Sequence, residues 1–357
     1  MKDNLYLDVH ILQTLPPSCV NRDDTGSPKT AIYGGVSRAR VSSQSWKRAV
    51  RKDFLDILND GNRGYRTKKV EQLIADRIVS LDSSINQEKA QKLADTACSD
   101  VGMKGSGKDV LFFVSEKQIQ SLAKAIIEAE NEEKISQKER KKILENAANI
   151  SPSIDMALFG RMAASNTLLN IDATCQVAHA ISTHAVSNEY DYFTAVDDCQ
   201  DQDNAGAAYL DTNEYNSSTL YRYATINVRE FAKLVEANEV KMGIEAFIEA
   251  FALSMPTGKQ NSFANRTVPD MVYVTLRSDQ PVNLVGAFEK PVYANKKGYV
   301  GASVDRLVNY AEKVYTDFVE EPEAAWQVGT NEENFGEKIT MKKLPEAVWT
   351  SVNSLMQ

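Results

Sequence analysis

Lys29-Thr30-Ala31-Ile32-Tyr33-Gly34-Gly35-Val36-Ser37-Arg38-Ala39-Arg40-Val41-Ser42-Ser43-Gln44-Ser45-Trp46-Lys47-Arg48-Ala49-Val50-Arg51-Lys52 holds seven basic residues and no acidic one, in a 357-residue chain of formal net charge -8. Cations gathered against the overall sign point to a polyanion held at one place, and phosphate is the favoured group. Residues 31–41 read as a strand with one polar face carrying Arg38 and Arg40. Ser42 or Ser43 then caps a helix over about residues 44–58. Trp46, Val50, Phe54 and Ile57 form its apolar stripe, while Gln44, Lys47, Arg48 and Arg51 project elsewhere. The helix start offers amides without intrahelical partners, to which the Ser42 and Ser43 hydroxyls and the Gln44 amide add donors for an anion. Gly34-Gly35 permits close approach of a backbone. Lys47 and Arg51 share a face and repel each other unless an anion lies between them.

On the N-terminal side, residues 6–12 alternate as a half-buried strand that Pro16-Pro17 ends, and residues 21–28 are a turn-rich loop. On the C-terminal side, residues 62–149 are helical and heavily charged, apart from a short apolar run at 110–114 that reads as a buried strand or a helix entry. Within them, residues 116–148 read as two helices meeting near Glu130-Asn131-Glu132-Glu133. Residues 197–218 form a long polar connection punctuated by Tyr209, Leu210 and Tyr215, of the kind that serves as a functional arm. Strands follow at 220–228 and 271–277, with helices at 229–238, 240–255 and 302–320. Strands near both ends with helices between them give an α+β fold.

Other chemistries find little support. No apolar run approaches the ~20 residues a bilayer-spanning helix needs, and no signal-peptide pattern is read at the N-terminus. Cys19, Cys98, Cys175 and Cys199 are far apart, which fits a reducing cytoplasm and neither disulfides nor zinc. Gly102-Met103-Lys104-Gly105-Ser106-Gly107-Lys108-Asp109 approaches a nucleotide-binding loop, but Asp109 stands where magnesium needs Ser or Thr and a strand-like run follows in place of a helix. His179 and His184 have no metal-site partners and read as structural. Asp23 and Asp24 could bind magnesium beside a phosphate groove, although a turn-forming pair is the favoured reading.

Several ordered blocks carry a resemblance: residues 17–24 with Asn21-Arg22-Asp23-Asp24, residues 31–35, and Arg40-Val41-Ser42-Ser43-Gln44-Ser45-Trp46-Lys47-Arg48-Ala49. It continues through residues 155–163, 178–184, 191–198, 221–227 and 287–290. Together they resemble the backbone subunit (the CasC family) of the type I-E CRISPR Cascade surveillance complex. The resemblance implies a modified RNA-recognition-motif (ferredoxin-like) palm, an inserted helical fingers domain and a β-hairpin thumb. The palm would take residues 1–61, 150–196 and 221–357, the fingers 62–149 and the thumb 197–220.

It further implies a non-catalytic scaffold that stacks in several copies along a guide RNA, kinking it into segments that pair with target DNA. The implied partners are guide RNA, the target DNA strand, copies of the chain itself, the large and small Cascade subunits, the 5′-handle-binding subunit and the guide-processing endoribonuclease. No cofactor, metal or membrane is implied. Carried onto this sequence, Arg22, Lys29, Ser42, Ser43, Gln44, Lys47, Arg48 and Arg51 are the expected phosphate cradle. Met162, Asn166, Leu168 and Leu169 are the expected palm-loop contacts to bases, and Leu210 and Tyr215 the expected thumb wedges. The alternative is a metal-dependent ribonuclease that cuts target RNA through Asp23 or Asp24, as backbone subunits of related type III complexes do through a loop aspartate.

Overall fold

β1 (Tyr6–Ser18) pairs antiparallel with a strand over Met271–Arg277 near the other end of the chain, and both are buried on both faces, from Leu7 to Gln13 and from Met271 to Arg277, so β1 is not the half-buried strand expected. The computed structural model describes residues 4–103, 111–132, 135–163, 165–195 and 209–357. After β1 come β2 (Thr30–Tyr33), β3 (Val36–Val41), α1 (Ser43–Ile57), β4 (Gly64–Thr67), α2 (Val70–Leu81), α3 (Gln87–Val101) and β5 (Phe112–Ser115). Then follow α4 (Glu116–Asn131), α5 (Gln137–Ala148), α6 (Ile154–Phe159), β6 (Cys175–Val177), β7 (Ala180–Ser182), β8 (Glu189–Ala195) and β9 (Tyr209–Asn227). The remainder is α7 (Val228–Leu234), α8 (Ala237–Leu253), α9 (Gln260–Phe263), β10 (Met271–Arg277), α10 (Gly298–Asp317), β11 (Ala324–Val328), β12 (Glu337–Lys338) and α11 (Leu344–Met356). The fold is α+β, as expected, and its strands form one large mixed sheet and a separate β4–β5 pair. No described helix is long and apolar enough to cross a membrane.

Two compact units share the chain: residues 1–50, 177–225 and 248–357 in one, residues 51–176 and 226–247 in the other. The first contains most of the sheet, ordered β12-β11-β10-β1-β9-β7-β3-β2, with β8 also pairing β9. One part of its core joins Leu12, Tyr221 and Tyr273 of the sheet to Leu284, Phe288 and Leu307. A second part packs Trp46 against Leu15, Val41, Ala180 and Leu220. The second unit has its own helical core, including Ile74, Ala94, Ile119, Ile126 and Leu144. It extends beyond 62–149, since residues 51–61, α6, α7 and most of α8 also belong to it.

Three further local expectations are corrected. Pro16-Pro17 does not end β1, which runs to Ser18. The pairing with β10 spans Tyr6 to Leu12, so the prolines lie beyond that ladder. Residues 31–41 are not one strand but the hairpin β2–β3, folded at Gly34 (φ 59°) and Gly35 (φ 78°). Positive φ at both central residues is what a tight hairpin turn of right-handed strand twist demands, and glycine meets it without strain. The polar stretch after residue 197 is half strand: β9 starts at Tyr209 and pairs antiparallel with β8, from Ala195↔Tyr209 to Glu189↔Tyr215. A two-stranded arm has no core to bury, so it can be built from polar residues. Residues 197–208 of the expected thumb, and residues 104–109 of the loop resembling a nucleotide site, lie outside the described residues. Around that loop the order is helix α3, then strand β5, the reverse of a phosphate-binding strand–loop–helix.

Candidate nucleic-acid interface

In the sheet unit, the expected cradle is built around Ser42, which precedes α1 and whose carbonyl accepts from the amides of Ser45 (3.0 Å) and Trp46 (3.2 Å). The Ser42 amide donates to Asn21 Oδ1 at 2.9 Å, which ties the preceding loop to the helix start. Trp46 is buried and anchors the helix under a guanidinium: Arg222 lies 3.7 Å from its ring centroid and 4.8 Å from that of Phe251. Arg222 donates to Gln13 Oε1 at 2.6 Å and to the Phe251 carbonyl, so this cation serves the core and not the surface. With Trp46 turned inward, Gln44 and Arg48 are exposed and Ser43 and Lys47 half-buried.

Lys29 and Arg40 lie side by side across the β2–β3 hairpin base, where the Arg40 amide donates to the Lys29 carbonyl at 2.9 Å. Both line a narrow cleft with Ser18, Asn21, Asn216 and Ser218 and with the apolar Leu15, Val20 and Val41. The Arg40 guanidinium donates to the Thr30 carbonyl (3.2 Å) and to His179 Nδ1 (3.3 Å). Burial first, and then the charges of Arg40 and Lys29, hold the His179 imidazole below its usual pKa. Arg22 is exposed in the loop before Lys29, beside an open cleft of about 510 Å³ lined by Asn21, Arg22, Asp23, Asp24 and Gly258. Asp23 is absorbed by its own turn: Oδ1 accepts from the Thr25 amide (3.0 Å), the Thr25 hydroxyl (2.8 Å) and the Ser27 amide (3.0 Å). Those hydrogen bonds, the Thr25 hydroxyl foremost, hold its pKa below the ordinary carboxylate value.

Two of the seven basic residues turn inward. Arg38 is fully buried and donates to the carbonyls of Tyr33, Ser182, Phe288 and Glu289. Arg51, expected in the cradle, instead belongs to the helical unit. Its Nε donates to Asp155 Oδ2 at 2.9 Å, its Nη2 to the Gly64 carbonyl at 3.0 Å, and its guanidinium covers the Phe113 ring. The anion that the Lys47–Arg51 spacing calls for is thus supplied to Arg51 by the protein. Gly34 does not receive a ligand either: a Cβ there would sit 1.6 Å from the Glu289 carbonyl oxygen, so the close approach is made by the chain itself.

The expected palm-loop residues belong to the helical unit and divide by exposure. Met162 (87% exposed) and Leu168 (71%) project outward. Leu169 is a correction, since at 2% exposure it is part of the helical core and cannot reach a base in this fold. Asn166 is structural on both sides of its amide, donating to the Val101 carbonyl (2.9 Å) and accepting from the Leu168 amide (3.0 Å).

On the hairpin arm, Leu210 faces Thr194 across the ladder and Tyr215 faces Glu189, which puts the two expected wedges on opposite faces. Tyr215 rests against Phe263, with ring centroids 5.9 Å apart. Leu210 instead shares its face with Tyr190 and Tyr192, which oppose Glu214 and Thr212, and all three are exposed. Sequence reading missed these two tyrosines, though their spacing of two in a strand is the signal for one face. It counted Arg40 among the cations of the segment and read His179 as structural, and it passed over Lys259, whose Nζ donates to Asn213 Oδ1 on the arm.

The sheet unit thus offers cations, hydroxyls and a helix start to an anionic chain, and flat side chains on an arm to bases. A family model described as CT1975-like protein, of a Cas family, matches residues 7–356. The chain matches none of the curated proteins. It is similar to a solved chain of a CRISPR RNA-guided surveillance complex, pre-nicking, at 30% identity and a TM-score of 0.77, covering 96% of this chain and 99% of that one. A chain of another CRISPR RNA-guided surveillance complex is similar at 26% identity and a TM-score of 0.62, again over 96% and 99%.

Proposed function

The chain belongs to the CT1975-like family of Cas proteins, and from that premise we propose that it is an RNA-binding backbone subunit of a CRISPR surveillance complex, of the type I-E kind its motifs resemble. In this reading the sheet unit is the RNA-recognition-type palm, the helical unit the fingers and the β8–β9 hairpin the thumb. Lys29, Lys47, Arg48 and Arg22 grip phosphates, with the α1 start and its Ser43 and Gln44 side chains between them, while Ser42, which is buried, holds that helix start to the Asn21 loop. Contacts to the phosphate spine carry no sequence information, so base pairing alone reads the target DNA. Copies of the chain stack along the guide in a helical filament in the cytoplasm, alongside the other Cascade subunits, and catalyse nothing.

The observation that supports this reading best is the Lys29–Arg40 pair at one narrow cleft, in the same unit as the first turn of α1. RNA that co-purifies with the chain is expected to have one uniform length. Lys47→Ala with Arg48→Ala is expected to weaken binding equally for unrelated guide sequences; a strong dependence on guide sequence refutes gripping by phosphates. The ribonuclease alternative now rests on Asp24, which is exposed at the open cleft while Asp23 is spent on its turn. Magnesium-dependent cuts in complementary RNA, regular in spacing and lost in Asp24→Ala, would establish it in place of the scaffold.

A further inference from the structure

His179 is the one exposed histidine of three, His10 and His184 being buried. An arginine can only donate, so the 3.3 Å contact from Arg40 Nη1 requires a lone pair on His179 Nδ1. The imidazole is therefore neutral and carries its proton on Nε2. The charged groups acting on it are both cations, Arg40 on β3 and Lys29 ahead of β2. Those two also line the cleft with the Asn21, Ser18, Asn216 and Ser218 side chains. The cluster thus holds two fixed positive charges and one titratable group, and a single negative charge placed among them changes the titratable one.

We propose that Lys29, Arg40 and His179 form a proton-linked seat for one RNA phosphate, in which arrival of the phosphate releases the Arg40–His179 hydrogen bond and charges the imidazole. The Arg40 guanidinium swings its Nη1 donor from His179 to a phosphate oxygen. His179 Nδ1, freed of its donor, takes a proton from water and presents a second N–H to the phosphodiester. Each occupied seat consumes one proton, so the balance is one phosphate bound and one hydrogen ion removed from solution. The sign follows from linkage: a group whose pKa is depressed in the free protein and raised in the complex makes binding tighten as pH falls through the bound-state value. Histidine is the side chain whose window falls there. This inference rests on the reading of the chain as an RNA-binding subunit and adds to it a residue and a condition.

The test measures binding of fluorescent oligouridine to the full chain at constant ionic strength. Wild type is expected to bind about tenfold tighter at about pH 5.5 than at about pH 7.5, inside the single-proton ceiling of tenfold per pH unit. His179→Ala is expected to lose that dependence, and His179→Lys to bind tightly at every pH because its charge is permanent. With only three histidines in the chain, the ring C–H resonance of His179 can be assigned by substitution and should titrate at higher pH with oligouridine present. Equal pH dependence in wild type and His179→Ala, or an unmoved His179 titration in the bound form, overturns the proton-linked seat while leaving RNA binding intact. Failure of wild type to bind oligouridine at any pH overturns both.

Discussion

Arg48 and Arg51 sit three residues apart on α1, and replacing each with methionine should give opposite results. Arg51 is held by Asp155, whose side chain is 3% exposed. Removing one partner of a buried pair costs about 3–5 kcal/mol, because the other charge is left uncompensated. Here the lower end applies: Asp155 Oδ1 keeps the Gly64 amide (2.9 Å) and the Ser153 hydroxyl (2.8 Å), so only Oδ2 is stranded. About 3 kcal/mol corresponds to a fall of roughly 6–12 °C in the melting temperature of a unit this size. Arg48 is exposed, and Arg48→Met should leave the melting temperature within roughly 2 °C, as exposed substitutions change stability by about 0.5 kcal/mol or less. The ordering reverses in RNA binding. Each phosphate of a single strand that is no longer neutralised reduces the slope of log K against log salt by about 0.7, so Arg48→Met should flatten the slope by that amount and Arg51→Met should not. Calorimetry on the two variants, with fluorescence anisotropy across a salt series, reads both quantities. If Arg51→Met flattens the slope as Arg48→Met does and melts like wild type, the Asp155 pair is not what holds Arg51, and the division of the basic segment into inward and outward residues is wrong.

Three further outcomes concern the fold. Gly34→Ala should destabilise the sheet unit by more than about 2 kcal/mol in urea unfolding, since its Cβ meets the Glu289 carbonyl, whereas Gly35→Ala has open space and should cost only about 1 kcal/mol for its positive φ. Leu169→Ala should lower stability by about 2–5 kcal/mol and Leu168→Ala by about 0.5 or less, a contrast read by the same unfolding curves. Burial pushes the Asp8 carboxyl up to about 6 in the folded state against 3.8 as the ordinary value. A folded-state value above the unfolded one means stability that is full below about pH 4 and is lost as pH rises through 6, here roughly 3 kcal/mol. Asp8→Asn should therefore gain on wild type by that amount between pH 4 and 7. His10, pushed down to about 3 by burial, contributes the opposite slope below 6.5 to both proteins and cancels in the comparison.

Much of this was legible in the sequence, and the parts that were not have identifiable causes. The strand over 271–277, the α4–α5 pair and the start of α1 follow from periodicity and capping, which are local. The β2–β3 hairpin was missed because a basic alternating run suggested one continuous strand and masked the Gly34-Gly35 turn. Leu58 (4% exposed) packs inward where Ile57 was expected to, a one-residue difference at the last turn of a helix. Arg38 and Arg51 read as surface charge because their partners, the Phe288 carbonyl and Asp155, are 250 and 104 residues away. Leu169 differs from Leu168 by one position in a short 3-10 turn, and no pattern of period two or 3.6 separates them. Charge composition marked the basic segment but not which of its members face inward, since that is decided by contacts distant in sequence.

The pairing of Tyr6 with Arg277 and Leu12 with Met271 has a consequence for how the molecule is made. A ribosome adds roughly 5–20 residues per second and releases them N-terminus first, so β1 leaves the exit tunnel long before either sheet neighbour, β9 or β10, exists. Most of the helical unit is contiguous, from residue 51 to 176, and can assemble on the nascent chain in the interval. An apolar strand waiting that long is a target for holdase chaperones, and pausing translation before β9 is made should leave β1 open to protease while the helices of residues 51–176 already resist it.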